Sequence, residues 1–199
     1  MTHCIAPALY MPNISFFYLL SQYESFSFDQ TDKFQKQTFR NRCEILLSNK
    51  LEKLIVPIKK STGDASFISM EIDYTEDWQK KHWRSIQSGY GKTPFFEFYA
   101  PYLESEFNKQ YKTLFELNVS LVRLFVKCLN LGVKEIDQRD GERLSRLVTA
   151  KKFPHEFKGP SYEQPFGDKF YDNLSILDLL FNVGPESLSV LKQYKIVKS

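Results

Sequence analysis

The sequence predicts an α/β fold, with a mixed, partly parallel sheet under a helix-rich cover, in a single domain that spans residues 1–199. Three observations carry this prediction. They are a strand–helix–strand order at the start, a hairpin pattern after it, and long apolar helical stripes in the second half. With 42% hydrophobic residues, the 199-residue chain can bury one core.

The first unit is a strand, a helix and a second strand. Residues 3–10 are apolar and predict a buried strand, which Pro12 ends. Asn13 is a typical N-cap for the helix that follows. Residues 24–28 alternate and predict the second strand, so the order indicates a parallel βαβ unit.

A basic, polar segment then leads into a predicted hairpin turning at Asn49-Lys50. Arg40 and Arg42 would share one face of a strand, where two guanidiniums could clamp a phosphate or a carboxylate. A solvated strand edge, whose charges prevent unwanted pairing, explains them equally well. Lys36 and Asn41 belong to the same candidate binding segment.

Alternation predicts a further strand over residues 68–72, and Thr75 is expected to cap the next helix. On that helix, Trp78, His82 and Ile86 share a face. His82 is either a satisfied core histidine or an acid–base group.

The longest helical pattern runs over residues 109–131, and Asn118 sits within its apolar stripe. A buried amide must be hydrogen-bonded, so Asn118 is either a structural tie or a ligand contact. Residues 133–136 predict a short strand. The arginines after it, at 139, 143 and 146, fit a solvated helical face.

The segment from Tyr162 to Ser187 carries the most information. Ser175, with Asp178 three residues later, has the form of a capping box, and Gly184-Pro185 separates two short helices. Asn173, Ser175 and Asp178 are therefore either helix caps or a polar cluster that lines a pocket.

Composition excludes several classes. A net charge of +3 does not indicate nucleic-acid binding, and no apolar run is long enough to span a membrane. Three cysteines at unrelated spacings indicate a reducing cytoplasm rather than a disulfide framework. Without a phosphate-binding loop, a serine elbow or a metal-ligand spacing, the sequence predicts no cofactor and no metal.

Six blocks stand in order along the chain: YMPNISFF at 10–17, KQTFRNRCEI at 36–45, LIVP at 54–57, WQKKH at 78–82, YGKTPFFEFY at 90–99, and NLSILDLLFNVG at 173–184, preceded by Tyr162 and Gln164. Their order and spacing resemble the WbqC-like protein family. The resemblance implies a role in surface polysaccharide, O-antigen-type biosynthesis, as a transferase that joins an amino acid or acyl group, such as glycine, to an amino sugar.

On the transferase hypothesis, a group of basic residues would bind an anionic donor: Lys36, Arg40 and Arg42. His82 would be the general base, and Asp178 could orient it. The remaining candidate substrate-binding residues are Asn13, Asn41, Asn118, Tyr162 and Gln164. The alternative is a non-catalytic module that binds a nucleotide sugar or a protein of the pathway. Cys43 as a nucleophile is a third, weaker hypothesis, because its apolar strand predicts an inert thiol.

Overall fold

The computed structural model describes residues 2–35, 37–48, 50–60, 66–144, 157–167 and 169–196. Within them the elements follow in this order: β1 (His3–Ala6), α1 (Ile14–Leu20), β2 (Ser25–Phe28), β3 (Arg42–Leu46), β4 (Leu51–Ile55), α2 (Trp78–Tyr90), α3 (Phe96–Phe107), α4 (Leu114–Cys128), β5 (Lys134–Glu135), β6 (Glu142–Arg143), β7 (Phe157–Lys158), α5 (Ile176–Val183), α6 (Ser187–Leu191) and β8 (Lys195–Ile196).

The main sheet has four strands in the order β5-β2-β1-β6, and all its pairings are parallel. β1 and β2 pair from His3 opposite Ser25 to Ala6 opposite Phe28. Cys4, Ala6 and Phe26 are buried, so one face of both strands lies against the core. The predicted parallel βαβ unit is confirmed.

The predicted hairpin is also confirmed. β3 and β4 pair in antiparallel register, from Arg42 opposite Ile55 to Leu46 opposite Leu51. A third, two-stranded sheet joins β7 to β8. The mixed α/β architecture therefore matches the predicted fold class.

Helices α2, α3 and α5 pack against one another, α4 packs against α3, and α2 and α5 contact β3 of the hairpin. α4 begins at Leu114 because Thr113 and Glu116 form a capping box, in which each side chain bonds the other residue's backbone N–H. Its buried stripe includes Leu117, Leu121 and Phe125. The predicted helix is thus present, but it begins five residues later than its apolar pattern suggests.

Three local predictions are wrong. Residues 68–72 form a short 3-10 helix and isolated bridges rather than a strand, because their backbone partners come from separate segments. Asp77, not Thr75, caps α2; Thr75 instead bonds the side chain of Asp73. The described part of the arginine-rich segment after β5 contains β6 and no helix, so Arg139 and Arg143 share no helical face there, and Arg146 lies outside the described residues.

Of the helices that the structure describes, none combines the length and hydrophobicity that crossing a bilayer requires.

Candidate functional site

Residues 11–15, near one end of the described chain, contact residues 173–176, near the other end. We call this contact the end junction. Ile14 N donates to Leu174 O over 3.0 Å, and Ile176 N donates to Pro12 O over 2.8 Å. The Ser175 hydroxyl adds a bond to the Met11 carbonyl at 2.9 Å. Backbone atoms thus fix the two segments against each other.

Two asparagine side chains complete the end junction. Asn13 Oδ1 accepts from Phe16 N at 3.3 Å and so caps α1, as the sequence predicts. Asn173 Oδ1 accepts from Ser15 N at 2.8 Å, so it also satisfies the start of α1, from the other end of the chain. These contacts fix which way each amide is turned.

Because Oδ1 of each asparagine is hydrogen-bonded at the start of α1, the Nδ2 group of each remains to be accounted for. Nδ2 of Asn13 and Nδ2 of Asn173 are buried and have no hydrogen-bond partner among the described residues. The two residues are only 6% and 7% exposed. A buried donor without a partner costs about 1–3 kcal/mol, so a pair of them calls for an explanation.

The backbone at the end junction is strained as well. Met11 has φ of 39° and Asn173 has φ of 56°, in the left-handed region that residues with a Cβ rarely occupy. Asparagine tolerates this region better than methionine does. Backbone strain of this kind is common at binding and catalytic sites.

A cavity of about 290 Å³ lies at the end junction. Its wall includes Met11, Asn13 and Asn173, and two carboxylates, Glu44 and Asp172. The remaining lining residues are Phe39, Cys43, Leu51, Lys169, Phe170, Tyr171, Leu174 and Ser175. We call this space the junction cavity.

The two carboxylates of the junction cavity are held differently. Both oxygens of Asp172 accept hydrogen bonds, one from the Tyr194 hydroxyl at 2.8 Å and one from Gly159 N at 3.4 Å. Glu44 is half-buried, and its one ion pair among the described residues is with Lys53 at 3.5 Å. No other ion pair or side-chain hydrogen bond joins Glu44 to the residues that the structure describes, so its carboxylate remains available to a ligand.

Cys43 also lines the junction cavity, in β3. Burial raises the pKa of its thiol well above the ordinary value, which agrees with its apolar strand context. The thiol is protonated at neutral pH and is a poor nucleophile.

Asp178, from the predicted C-terminal cluster, is fully buried in α5. Its Oδ2 accepts from the Tyr162 hydroxyl at 2.5 Å and from Gln164 Nε2 at 2.7 Å, and the Tyr90 hydroxyl also bonds it. Burial raises the pKa of Asp178 to about 6, although these donors oppose the shift. Of the two interpretations of the predicted capping box, Ser175 is a cap and Asp178 is the centre of a polar cluster.

The Asp178 cluster reaches the junction cavity through Gln164. Gln164 Nε2 donates to the Tyr171 carbonyl, and Gln164 Oε1 accepts from Tyr171 N, both at 2.8 Å. Tyr171 lines the cavity. Tyr162 and Gln164 therefore hold one wall of the cavity to the core.

His82 lies in an aromatic part of the core and is 6% exposed. Its Nδ1 is 2.8 Å from the Tyr10 hydroxyl, its ring packs against Trp78, and it also bonds the backbone of Ile55. Burial lowers the pKa of His82 to about 4, so the ring is neutral at neutral pH. A general base must stand beside its substrate, and His82 does not line the junction cavity.

The predicted basic clamp is not assembled around the junction cavity. Arg40 is 2% exposed, pairs with Asp32 and lies over the ring of Phe67 at 5.5 Å. Arg42 begins β3, where its Nε is buried without a partner among the described residues. Lys36 lies outside the described residues.

Two amides that the sequence singles out act as ties. Asn118 Nδ2 donates to the carbonyls of Ala8 at 3.0 Å and Arg40 at 2.7 Å. Asn41 Nδ2 donates to Val56 O at 3.0 Å. Each ties separate segments together, which is the structural alternative left open for Asn118.

The chain was also compared with known proteins. The model of the WbqC-like protein family matches residues 8–153 and 149–190. The chain belongs to this family. It is also 26% identical over 223 aligned residues to the uncharacterized protein Rv1507c of Mycobacterium tuberculosis, an alignment that covers 94% of this chain and 96% of the relative. No solved structure matches.

Most of the buried polar atoms that lack a partner within the described part of the chain lie in the blocks that carry the family resemblance. The buried side-chain nitrogens and oxygens without a partner among the described residues belong to these residues: Asn13, Arg40, Asn41, Arg42, Trp78, Asn118 and Asn173. All of them except Asn118, which belongs to α4, lie in blocks that carry the family resemblance. Sequence reasoning missed Glu44 and Asp172 as parts of a cavity, whereas Asn173 was among the residues that one of its two interpretations placed at a pocket. The signal available for Asn173 was its place in the C-terminal block.

Proposed function

We propose that this protein transfers an amino-acid or acyl group onto an amino sugar in surface polysaccharide, O-antigen-type biosynthesis, and that the junction cavity binds the sugar. The observation that carries the proposal is a pair of buried amide nitrogens beside that cavity, on Asn13 and Asn173, which have no hydrogen-bond partner in the described ranges of the chain. The pathway is what the resemblance to the WbqC-like family implies, and the junction cavity offers residues suited to bind a sugar.

The donors and acceptors at the cavity suit an amino sugar. Sugar hydroxyl and N-acyl oxygens accept hydrogen bonds, which the two Nδ2 groups can donate. A sugar ammonium would find a carboxylate in Glu44 or Asp172. A volume of about 290 Å³ suits one sugar ring rather than an extended polymer.

Glu44 is the candidate general base of the proposed reaction. The sugar amine attacks the acyl carbon of an activated donor, the new C–N bond forms, and the bond from that carbon to the leaving group breaks. The proton that the nitrogen loses passes to Glu44 and then to solvent or to the departing group. In this proposal Asp178, Tyr162 and Gln164 position the cavity wall, and His82 supports the core behind it.

Exchange of each amide for a carboxylate tests the proposal. Asn13→Asp and Asn173→Asp keep the oxygen that caps α1 but remove the amino group. The purified variants are incubated with nucleotide-linked amino sugars and activated amino acids, and the products are weighed by mass spectrometry. We expect the wild type to add the mass of one acyl group and each variant to lose at least about tenfold in rate.

Asn130→Asp is the matched control, because Asn130 is an exposed asparagine with a positive φ of 49°. It should retain the wild-type rate. Glu44→Gln should lose product at saturating substrate, whereas the amide variants should also need more sugar. Unchanged rates in both amide variants would show that the cavity is not the sugar site.

A non-catalytic module is the second candidate. The internal hydrogen bonds of His82 and Asp178 favour it, because neither side chain has a free group beside the cavity. On this alternative, a nucleotide sugar would bind with the same dependence on Asn13 and Asn173, and calorimetry would detect binding with no change in product mass.

A further inference from the structure

A second cavity, of about 570 Å³, lies at the carboxyl ends of the parallel strands. Every strand of the main sheet contributes to it: Ile5 comes from β1, Phe28 from β2, Glu135 from β5 and Arg143 from β6. In open α/β sheets, ligands bind outside the carboxyl ends of the strands, where the connections diverge to opposite sides. Here β2 and β6 lie on opposite sides of β1, which creates such a point.

Carboxylates hold two arginines at this cavity. Arg123 makes a fork with Glu135, through Nε at 2.7 Å and Nη2 at 2.6 Å. Arg143 Nη1 donates to Asp29 Oδ2 at 2.5 Å, and Thr31 donates twice to the other oxygen of Asp29. Burial of Asp29 favours its neutral form, but these hydrogen bonds hold its pKa below the ordinary value.

The contacts leave a surplus of hydrogen-bond donors. The oxygens of Glu135 and Asp29 are engaged, and Asp137 adds a third carboxylate to the lining. The donors in surplus are those of the guanidiniums, because each has five N–H groups and Arg123 spends two on Glu135. Arg139 also lines the cavity, is exposed, and forms no ion pair with any residue that the structure describes. A site with fixed, partly free guanidiniums favours a ligand rich in acceptor oxygens.

Part of the wall is apolar, and polar side chains such as Gln30, Asp137 and Gln138 line the remainder. Phe28 and Phe115 pack edge to face at 6.4 Å and both line the cavity, and Arg123 lies 5.9 Å from the Phe28 ring. The volume is well above that of a phosphate alone and falls within the range for small organic ligands. Such a wall suits an occupant that carries both an oxyanion and a flat or apolar group.

We propose that this cavity is a binding site for a diphosphate attached to an organic group, of the size of a nucleoside diphosphate. Arg139 and the free edges of Arg123 and Arg143 hold the phosphates, while the phenylalanines contact the organic group. The site shares no lining residue with the junction cavity, so it does not depend on the function proposed above.

Isothermal titration calorimetry of the full chain with uridine diphosphate, pyrophosphate and uridine tests the proposal. We expect uridine diphosphate to bind most tightly, pyrophosphate more weakly and uridine least. Arg139→Gln should weaken uridine diphosphate binding by at least about tenfold. Because Arg139 is exposed, its replacement should leave the thermal midpoint unchanged.

Lys134→Gln is the matched control, since it removes one exposed positive charge from β5 without touching the cavity. It should change the affinity by less than about twofold. Equal losses in the two variants would overturn the site, because they would indicate a general charge effect. So would uridine binding as tightly as its diphosphate, or no binding of either phosphate at about 1 mM.

Discussion

Two buried polar regions lie close together in this protein and differ in how fully their polar groups are hydrogen-bonded. In the Asp178 cluster, the carboxylate oxygens meet Tyr162, Gln164 and Tyr90. At the end junction, two amides satisfy a helix start but leave two donors without a partner among the described residues. A paired polar group stabilises the fold, whereas an unpaired one costs free energy unless a ligand completes it.

Loss of the paired carboxylate should have the largest effect on stability. Asp178→Ala leaves two tyrosine hydroxyls and a glutamine without their acceptor, so we expect the free energy of unfolding to fall by about 3 kcal/mol. Urea denaturation followed by circular dichroism measures it. A loss below about 1 kcal/mol would show that the cluster contributes little.

The pH dependence of stability should separate Asp178 from His82. The pKa of Asp178 rises from 3.8 to about 6 in the fold. The stability that its bound proton contributes is therefore present below pH 4 and is lost as the pH rises through 6. The pKa of His82 falls from 6.5 to about 4, so stability instead increases over the same window.

These opposite slopes offset each other in the wild type. The free energy of unfolding of the wild type should therefore exceed that of Asp178→Asn by an amount that shrinks from pH 4 to pH 7, by up to about 3 kcal/mol. Denaturant titrations at several pH values give this difference. A difference that grows with pH would contradict the raised pKa.

A smaller effect is expected where the hydroxyl of Tyr10 meets His82. Tyr10→Phe removes one buried hydrogen bond and should lower the free energy of unfolding by about 1 kcal/mol. Because burial dominates the shift, the pKa of His82 should stay below 6.5, which its NMR titration would measure. A return of the pKa to 6.5 would show that the ring is solvated.

The smallest effect on stability belongs to the end junction. Asn13→Asp and Asn173→Asp keep the cap oxygen, so thermal denaturation should show a change within about 1 kcal/mol, as for Asn130→Asp. Together with the loss of activity proposed for both variants, this would sharpen the contrast between the two regions. A loss as large as that of Asp178→Ala would mean that the free donors are structural.

Sequence patterns predicted the structure correctly where residues close together along the chain determine it. Asn13 caps α1 because its side chain reaches the N–H of Phe16, three residues away, and the hairpin follows from two apolar runs on either side of a short turn. The predicted strand over residues 68–72 failed because its pairing depends on distant segments. The predicted helical arginine face failed because β6 joins the sheet beside β1.

The sequence by itself determined the α/β class, the family and the polar residue types that surround the candidate sites. Only the tertiary structure decided which of those residues have partners. Asn173 completes α1 from 158 positions away, and Arg143 reaches Asp29 across 114. Hydrogen-bond satisfaction depends on neighbours in space, so no spacing along the chain distinguishes a tied amide from a free one.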